Sequence, residues 1–348
     1  MSERIDIQHA IQLVVEGNEL NPDQAESVMD LIMSGEATEA QIAALVVAMR
    51  MKGETTSEIA GFARAMRDHA VQVDIDSDSL PLLDTCGTGG DHSNSFNIST
   101  TATFVIAAAG VRIAKHGNRA ASSKCGSADV LEALGVKIEL TPREVEACVE
   151  KVGVGFMYAP AYHPAMRFVG PARKQMGIRT IFNLLGPLTN PAGARHQLIG
   201  VGIPHIATQL AEVLQVLGSQ HTVLVHAEEG MDEVGVRGTT RVTDFNASHG
   251  GIRTYDITPE EFGLERADPA ALVGGDAQEN KEITLRVLGG EQGPRRTVTL
   301  LNAGAGIYAA DAADSFADGI AIAAEMIDSG KALTKLNELI AFTSEMSA

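Results

Sequence analysis

The chain has 348 residues, 45% of them hydrophobic, which is ordinary for a globular protein and enough for two domains with a sizeable core. A formal net charge of −18, no Trp and only 4% aromatic residues exclude a general nucleic-acid or anionic-membrane surface, so a polyanionic ligand would need a local basic pocket and a metal ion. No apolar run reaches the roughly 18 residues of a membrane span, and Cys86, Cys125 and Cys148 have neither metal-ligand nor disulfide spacing, which points to a reducing cytoplasm.

The N-terminal MSERIDIQHAIQ is charged and lacks the apolar core of a signal peptide. Residues 1 to about 75 read as helices only. Asn21-Pro22-Asp23-Gln24, Thr38-Glu39-Ala40-Gln41 and Thr55-Thr56-Ser57-Glu58 each have an N-cap oxygen with Glu or Gln three positions on. Gly17, Gly35 and Gly53 close the preceding segments, and Ile42, Leu45, Val46 and Met49 recur at helical spacing. This predicts a small helical unit.

From Leu80 the pattern changes to alternating strands and helices, which predicts a mostly parallel sheet. The runs are Leu80 to Leu83, Ala102 to Ala109, Val111 to Ala114, Ala128 to Leu134, Val136 to Leu140, Pro142 to Val152 and Val154 to Ala159. A helical, basic stretch from His163 to Pro191 interrupts the alternation. Sheet-like runs return at Leu198 to Ile203 and His221 to Ala227, with a helix from Ile206 to Leu217 between them. Alternation from Arg237 to Thr258 suggests antiparallel strands, and Asp268 to Asn280 reads as a surface loop. Two alanine-rich helices, Thr297 to Ala310 and Ser315 to Ser329, and a shorter one after Lys331 end the chain.

The chemistry concentrates between Asp84 and Gly126. Asp84-Thr85-Cys86-Gly87-Thr88-Gly89-Gly90-Asp91 places three glycines in four residues after a strand, and Asn97-Ile98-Ser99-Thr100 then opens a helix. Such a turn offers free N–H groups and a favourable dipole to an anion. A third block, Lys115 to Ser123, adds Lys115 and Arg119 for charge and Asn118, Ser122 and Ser123 for hydrogen bonding. The turn matches neither the dinucleotide G-x-G-x-x-G pattern nor the P-loop. Any block alone has a bland reading as a turn or a solvated face. Together they read as a site for a highly phosphorylated sugar.

These stretches resemble the anthranilate phosphoribosyltransferase family. The resemblance rests on DTCGTGGD, SFNIST, KHGNRAASS, GSADVLEALG, HPAMRFVGPARKQMGIRTIFNLLGPLTNP and GMDEV, which span Asp84 to Val234, and the flanking elements follow the same order. It implies a small α-helical domain, residues 1–75 joined by helices from about 165–192, and a large α/β domain, 76–164 and 193–348, with a mostly parallel central sheet flanked by helices and a cleft between the domains. It implies Mg-dependent transfer of a phosphoribosyl group from phosphoribosyl pyrophosphate to anthranilate in tryptophan synthesis, by a cytoplasmic homodimer paired through the helical domain.

The resemblance also implies site residues. Phosphoribosyl pyrophosphate would contact Gly87, Gly90, Asp91, Ser95, Asn97, Ile98, Ser99, Thr100, Lys115, His116, Gly117, Asn118, Arg119, Ala120, Ala121, Ser122, Ser123 and Ser127. Anthranilate would contact Gly87, Asn118 and Arg173, whose guanidinium suits a carboxylate. Mg²⁺ would take Ser99, Asp232 and Glu233, with Glu228 and Glu229 left as surface charges. His116 and His163 are candidates to line the acceptor path, and no residue is assigned as general acid or base. His92, Ser95 and Cys125 depart from the family's usual residues without removing a proposed ligand. Cys86 and Cys125 flank the site, so thiol modification could inhibit. The competing readings are a pyrimidine nucleoside phosphorylase and a nucleic-acid-binding relative; the KHGNRAASS block, Asn118, Arg173 and the acidic charge speak against them.

Overall fold

The computed structural model describes residues 5–77, 79–91, 93–120 and 124–346. Four helices come first: α1 (Ile7–Val15), α2 (Pro22–Met33), α3 (Glu39–Lys52) and α4 (Thr56–Asp68). The three expected capping boxes are all formed, on Asn21, Thr38 and Thr55, and Pro22 occupies the first turn of α2. Ile42, Leu45, Val46 and Met49 form the buried stripe of α3.

The remaining chain builds one seven-stranded sheet. In chain order it runs β1 (Leu82–Gly87), α5 (Ile98–Ala108), β2 (Arg112–Gly117), α6 (Ser127–Leu134), α7 (Pro142–Lys151), β3 (Val154–Tyr158), α8 (Ala159–Tyr162), α9 (Gly170–Met176), α10 (Phe182–Leu185) and β4 (His196–Gly200). Then follow α11 (Ala207–Val216), β5 (His221–Ala227), β6 (Thr240–Asn246), β7 (Gly251–Ile257), α12 (Ala277–Leu288), α13 (Pro294–Ala309), α14 (Phe316–Asp328) and α15 (Lys331–Glu345). The sheet order is β3-β2-β1-β4-β5-β6-β7; β1 to β5 are parallel, and β6 and β7 add an antiparallel edge. This is the expected architecture: a small helical domain beside a large α/β domain.

Two cores divide the apolar residues. One gathers the sheet with α5, α6, α7 and the C-terminal helices. The other gathers α1 to α4, the segment around α9 and α10, helix α11, and Ile199, Leu224 and Phe245 from the sheet. Helix α5 is buried along nearly its whole length, so its N-terminus is held firmly against the sheet. At the amino end of β5, buried His221 joins Asp311 through Nδ1 at 2.6 Å and Asp244 through Nε2 at 3.2 Å. Asp311 also meets His196 Nε2 at 3.2 Å.

Three expectations fail. Residues 136–140 form no strand, although Val136, Ile138 and Leu140 are buried; the extended segment packs on α15, and Lys137 N–H donates to Thr343 Oγ1 at 3.3 Å. The predicted surface loop ends early, because Asp276 caps α12 by bonding Gln278 and Glu279 N–H. The last helix, with 15 residues, is longer than the 13-residue α14.

Candidate active site

The site forms where the strand order reverses. From β1 the chain moves outward through β2 to β3; β4 then returns to the other side of β1. The carboxyl ends of β1 and β4, Gly87 and Gly200, are register partners. The crevice outside the strand ends at such a reversal is where open α/β sheets take ligands. Thr88 N–H donates to the Gly200 carbonyl at 2.8 Å, and Thr88 Oγ1 accepts from Gly202 N–H at 2.9 Å, so the turn is tied to both strands.

Gly89 and Gly90 have φ of 64° and 76°, the left-handed region where a side chain is strained. Space is equally limiting. A Cβ on Gly87 would stand 2.8 Å from Asp232 Oδ2, and one on Gly90 would collide with Arg179 Nη1. The glycines therefore let acidic and basic groups reach the backbone itself.

The two acids of the GMDEV stretch face this turn. Asp232 Oδ2 accepts from Gly89 N–H at 3.1 Å, and Asp232 N–H donates to Asp91 Oδ2 at 3.4 Å. Glu233 Oε1 accepts from Ser99 N–H, in the first turn of α5, at 3.2 Å. That N–H is free because Asn97, the N-cap residue, does not cap; its amide nitrogen donates to the Cys125 carbonyl at 3.2 Å and its oxygen accepts from Asn280 at 2.9 Å. Burial pushes Asp232 up to about 7, with repulsion from Asp91 second. Burial pushes Glu233 up to about 8, with repulsion from Asp232 second. Among the described residues no three His, Cys, Asp or Glu side chains form a metal cluster. Two under-neutralised carboxylates beside Ser99 nevertheless suit Mg²⁺, which takes one or two carboxylates and completes its shell with phosphate oxygens and water.

Lys115 lies beneath the turn. It is buried, and its ammonium donates to the Thr85 carbonyl, to Thr85 Oγ1 at 3.1 Å and to Ser99 Oγ at 3.5 Å. Burial lowers its pKa; nearby Asp84 is the largest opposing influence. Asp84, itself fully buried, accepts from His116 N–H at 3.1 Å and so fixes the exit of β2.

The other expected residues spread over a wider surface. Asn118 is exposed and braces the third block: its Oδ1 accepts from Arg119 N–H at 2.7 Å, and its carbonyl accepts from Ser127 Oγ at 3.3 Å. Arg119 is engaged by Glu132 at 2.8 Å and Asp129 at 3.1 Å, and these bonds hold its pKa above the usual range. An anionic ligand must share it with two carboxylates. Gly117 abuts Ser127 at the start of α6, and Ala120 N–H donates to Asp129 at 2.9 Å. Ile98 and Thr100 are buried. Ser95 accepts from Ser93 Oγ at 3.2 Å, beside a bridge to Val273. His92, Ala121, Ser122 and Ser123 lie outside the described residues.

Arg173 projects from α9. It is half-buried over the Phe182 ring at 5.9 Å, burial lowers its pKa, and it has no carboxylate partner among the described residues. His116 and His163 meet with ring centroids 4.9 Å apart. Burial lowers them to about 3 and about 4, so both are neutral at physiological pH, and each Nε2 is buried without a partner among the described residues. Cys86 is raised well above the usual thiol range by burial, and Cys125 is also raised by burial, so neither is a ready thiolate. Glu229 is more than a surface charge: it accepts from Val236 and Arg237 N–H, each at 3.1 Å, and clasps its own loop.

Sequence reasoning assigned no role to Arg179, Asp84 or Gly202. Arg179 stood inside a quoted motif, but nothing in its spacing tied it to a turn 90 residues away. Its Nη1 donates to the Gly89 carbonyl at 3.1 Å.

Residues 8–70 match the helical bundle domain of the glycosyl transferase family, and residues 79–333 match that family's α/β domain. An anthranilate phosphoribosyltransferase of Symbiobacterium thermophilum is 51% identical over 339 residues, 97% of this chain and 98% of its own. One of Desulfatibacillum aliphaticivorans is 50% identical over 335 residues, 96% of this chain and 98% of its own. The crystal structure of the enzyme from Thermus thermophilus superposes with a TM-score of 0.90 at 45% identity, covering 96% of this chain and 99% of that one. The Saccharomyces cerevisiae enzyme in complex with PRPP and Mg superposes with a TM-score of 0.86 at 28% identity, covering 97% and 98%. With both family domains matched, relatives about 50% identical over nearly the whole chain and a fold that superposes along its length, the chain belongs to the anthranilate phosphoribosyltransferases.

Proposed function

We infer that the chain transfers the phosphoribosyl group of phosphoribosyl pyrophosphate to the amino nitrogen of anthranilate, giving N-(5-phosphoribosyl)anthranilate and pyrophosphate in tryptophan synthesis. The observation that carries this reading is the pairing of carboxylates with main-chain N–H groups at the reversal point. Asp232 on Gly89 and Glu233 on Ser99 mark N–H donors that face the crevice and suit an anion. Phosphate and pyrophosphate oxygens would be met by the turn from Gly87 to Asp91, by the Asn97–Thr100 helix start, and by the block from Lys115 to Ser123 with Ser127.

The C1′–O bond breaks through an oxocarbenium-like state, and charge develops on the leaving pyrophosphate. Asp232 and Glu233, with Ser99 beside them, would hold Mg²⁺. When bound, the ion supplies neutralising charge to the pyrophosphate oxygens. Lys115 contributes a buried positive charge beneath the turn. Arg173 would hold the anthranilate carboxylate, with Asn118 and Gly87 near the acceptor, so that the amine addresses C1′. That amine has a free lone pair at neutral pH, and the neutral His116–His163 pair is a wall rather than a required base.

Residues 1–75 with about 165–192 are assigned to the helical domain, and 76–164 with 193–348 to the α/β domain; the shared helical core of α1 to α4, α9 and α10 supports this division. A homodimer paired through that domain is part of the same reading. Three free cysteines agree with a cytoplasmic location, and among the described residues no helix is long and apolar enough to cross a membrane.

The test is the loss of anthranilate fluorescence on adding phosphoribosyl pyrophosphate, with and without Mg²⁺. Mg²⁺-dependent loss with equimolar pyrophosphate is expected. Tight binding of phosphoribosyl pyrophosphate without turnover would reject anthranilate as the acceptor.

A further inference from the structure

One hydrogen-bonded line crosses from the paired acids to the helical domain. It begins at Asp232 Oδ2, which accepts from Gly89 N–H at 3.1 Å. The Gly89 carbonyl, on the far side of that residue's Cα, accepts from Arg179 Nη1 at 3.1 Å. The Arg179 carbonyl in turn accepts from the Arg50 guanidinium of α3. Arg179 stands three residues past the end of α9, the helix that carries Arg173. The donor turn and the acceptor helix are therefore joined through one side chain.

The fit at this joint is close. The Arg179 guanidinium lies against the left-handed Gly89–Gly90 backbone, where a Cβ on Gly90 would overlap Nη1. Its second terminal nitrogen, Nη2, is buried and has no hydrogen-bond partner among the described residues. A buried, unpaired guanidinium nitrogen is costly, so the arrangement is poised to gain from any change in the turn that offers Nη2 an acceptor. Filling the turn with pyrophosphate and a divalent cation is such a change. Asp232, which accepts from Gly89 N–H, would also help to hold that cation, so filling the site would bear on the Gly89 peptide.

We propose that Arg179 is a positioning residue that couples occupancy of the glycine turn to the placement of Arg173, so that a filled donor site tightens acceptor binding. The proposal rests on the assignment of the turn to phosphoribosyl pyrophosphate. It concerns how the two half-sites communicate rather than what each binds.

The experiment measures the dissociation constant of anthranilate by its own fluorescence, with and without saturating inorganic pyrophosphate and Mg²⁺, a pair that cannot react with it. Wild type is expected to bind anthranilate at least about 5-fold more tightly when pyrophosphate and Mg²⁺ are present, the lower end of ordinary site-to-site coupling. In Arg179→Ala the factor should fall to about one while the melting temperature stays near wild type and the affinity for pyrophosphate and Mg²⁺, measured without anthranilate, falls by no more than a few-fold. Arg179→Lys, which restores one donor to the Gly89 carbonyl, should recover part of the factor. Arg50→Ala, at an exposed position, should reduce it from the far end. A strap that only held the fold together would weaken both ligands and lower the melting temperature together.

A wild-type factor of one, or an undiminished factor in Arg179→Ala, overturns the proposal. Failure of wild type to bind pyrophosphate with Mg²⁺ at all is a different result. It removes the assignment of the turn, and the coupling proposal falls with it.

Discussion

Arg173 is a half-buried guanidinium without an acid among the described residues, and that state defines its use. A charged hydrogen bond contributes about 1.5–3 kcal/mol, so Arg173→Ala should raise KM for anthranilate roughly 10- to 150-fold. The affinity for phosphoribosyl pyrophosphate, measured by calorimetry, should hardly change. The acids behave in the opposite sense. In Mg²⁺-free protein Asp232 and Glu233 sit at about 7 and about 8, above the ordinary carboxylate value of about 4. The native state thus binds more protons than the unfolded chain between about pH 4 and 8, and stability declines as pH rises through that window. Melting temperature in chelator should fall from about pH 5.5 to about 8.5, and Mg²⁺ should restore more of it at the higher pH. Asp232→Asn with Glu233→Gln should flatten both trends; a double variant that kept the wild-type Mg²⁺ response would remove these residues as ligands. At this scale the sequence revealed residues that belong to contiguous motifs. Asp232 and Glu233 were legible because they adjoin in GMDEV, whereas Asp84 and Arg179 act across 32 and 90 residues of chain, and spacing cannot encode such contacts.

Helix starts were the most legible elements, because a cap is a local contest for a few orphan N–H groups. The Thr55 box shows how such a cap can reach further. Glu58 is fully buried; its Oε2 accepts from Thr55 N–H and Lys52 Nζ, each at 2.9 Å, and its Oε1 accepts from Leu20 N–H at 3.0 Å. One carboxylate thus caps α4 and pins the α1–α2 connection. Glu58→Ala should destabilise the protein by about 1–3 kcal/mol by stranding buried donors, against about 1 kcal/mol for Thr55→Ala, and urea unfolding would rank them. The missed elements failed for tertiary reasons. Residues 136–140 alternate like a strand, yet their outward groups meet α15 and they join no ladder of the sheet. Helix α12 carries a legible box, Asp276 to Glu279, that the preceding Gly274-Gly275 masked as loop. The βα alternation itself was readable, but the return of β4 to the inner side of β1, which creates the site, is a property of long-range pairing.

Across the whole molecule the sheet carries chemistry at its carboxyl ends and a clasp at the other. Burial alone would lower His221, but its bonds to Asp244 and Asp311 carry it above the ordinary histidine value. A raised histidine stabilises fully below its unfolded pKa and loses that contribution as pH rises through the folded value. The melting-temperature advantage of wild type over His221→Gln should therefore shrink on going to alkaline pH; an advantage constant from about pH 6 to about 9 would mean that the clasp works without charge.

The second core has a further consequence, for synthesis. Helices α1 to α4 are made before the rest of the second core, yet that core is completed by α9, α10, α11 and the sheet residues Ile199, Leu224 and Phe245. Leu214 of that core is made roughly 150 residues after Met66, which at the usual pace of translation is on the order of 10–30 s. During that interval the nascent bundle displays an unfinished hydrophobic side, so an N-terminal fragment should aggregate where the full chain does not. The interval also gives a holding chaperone a defined time to act.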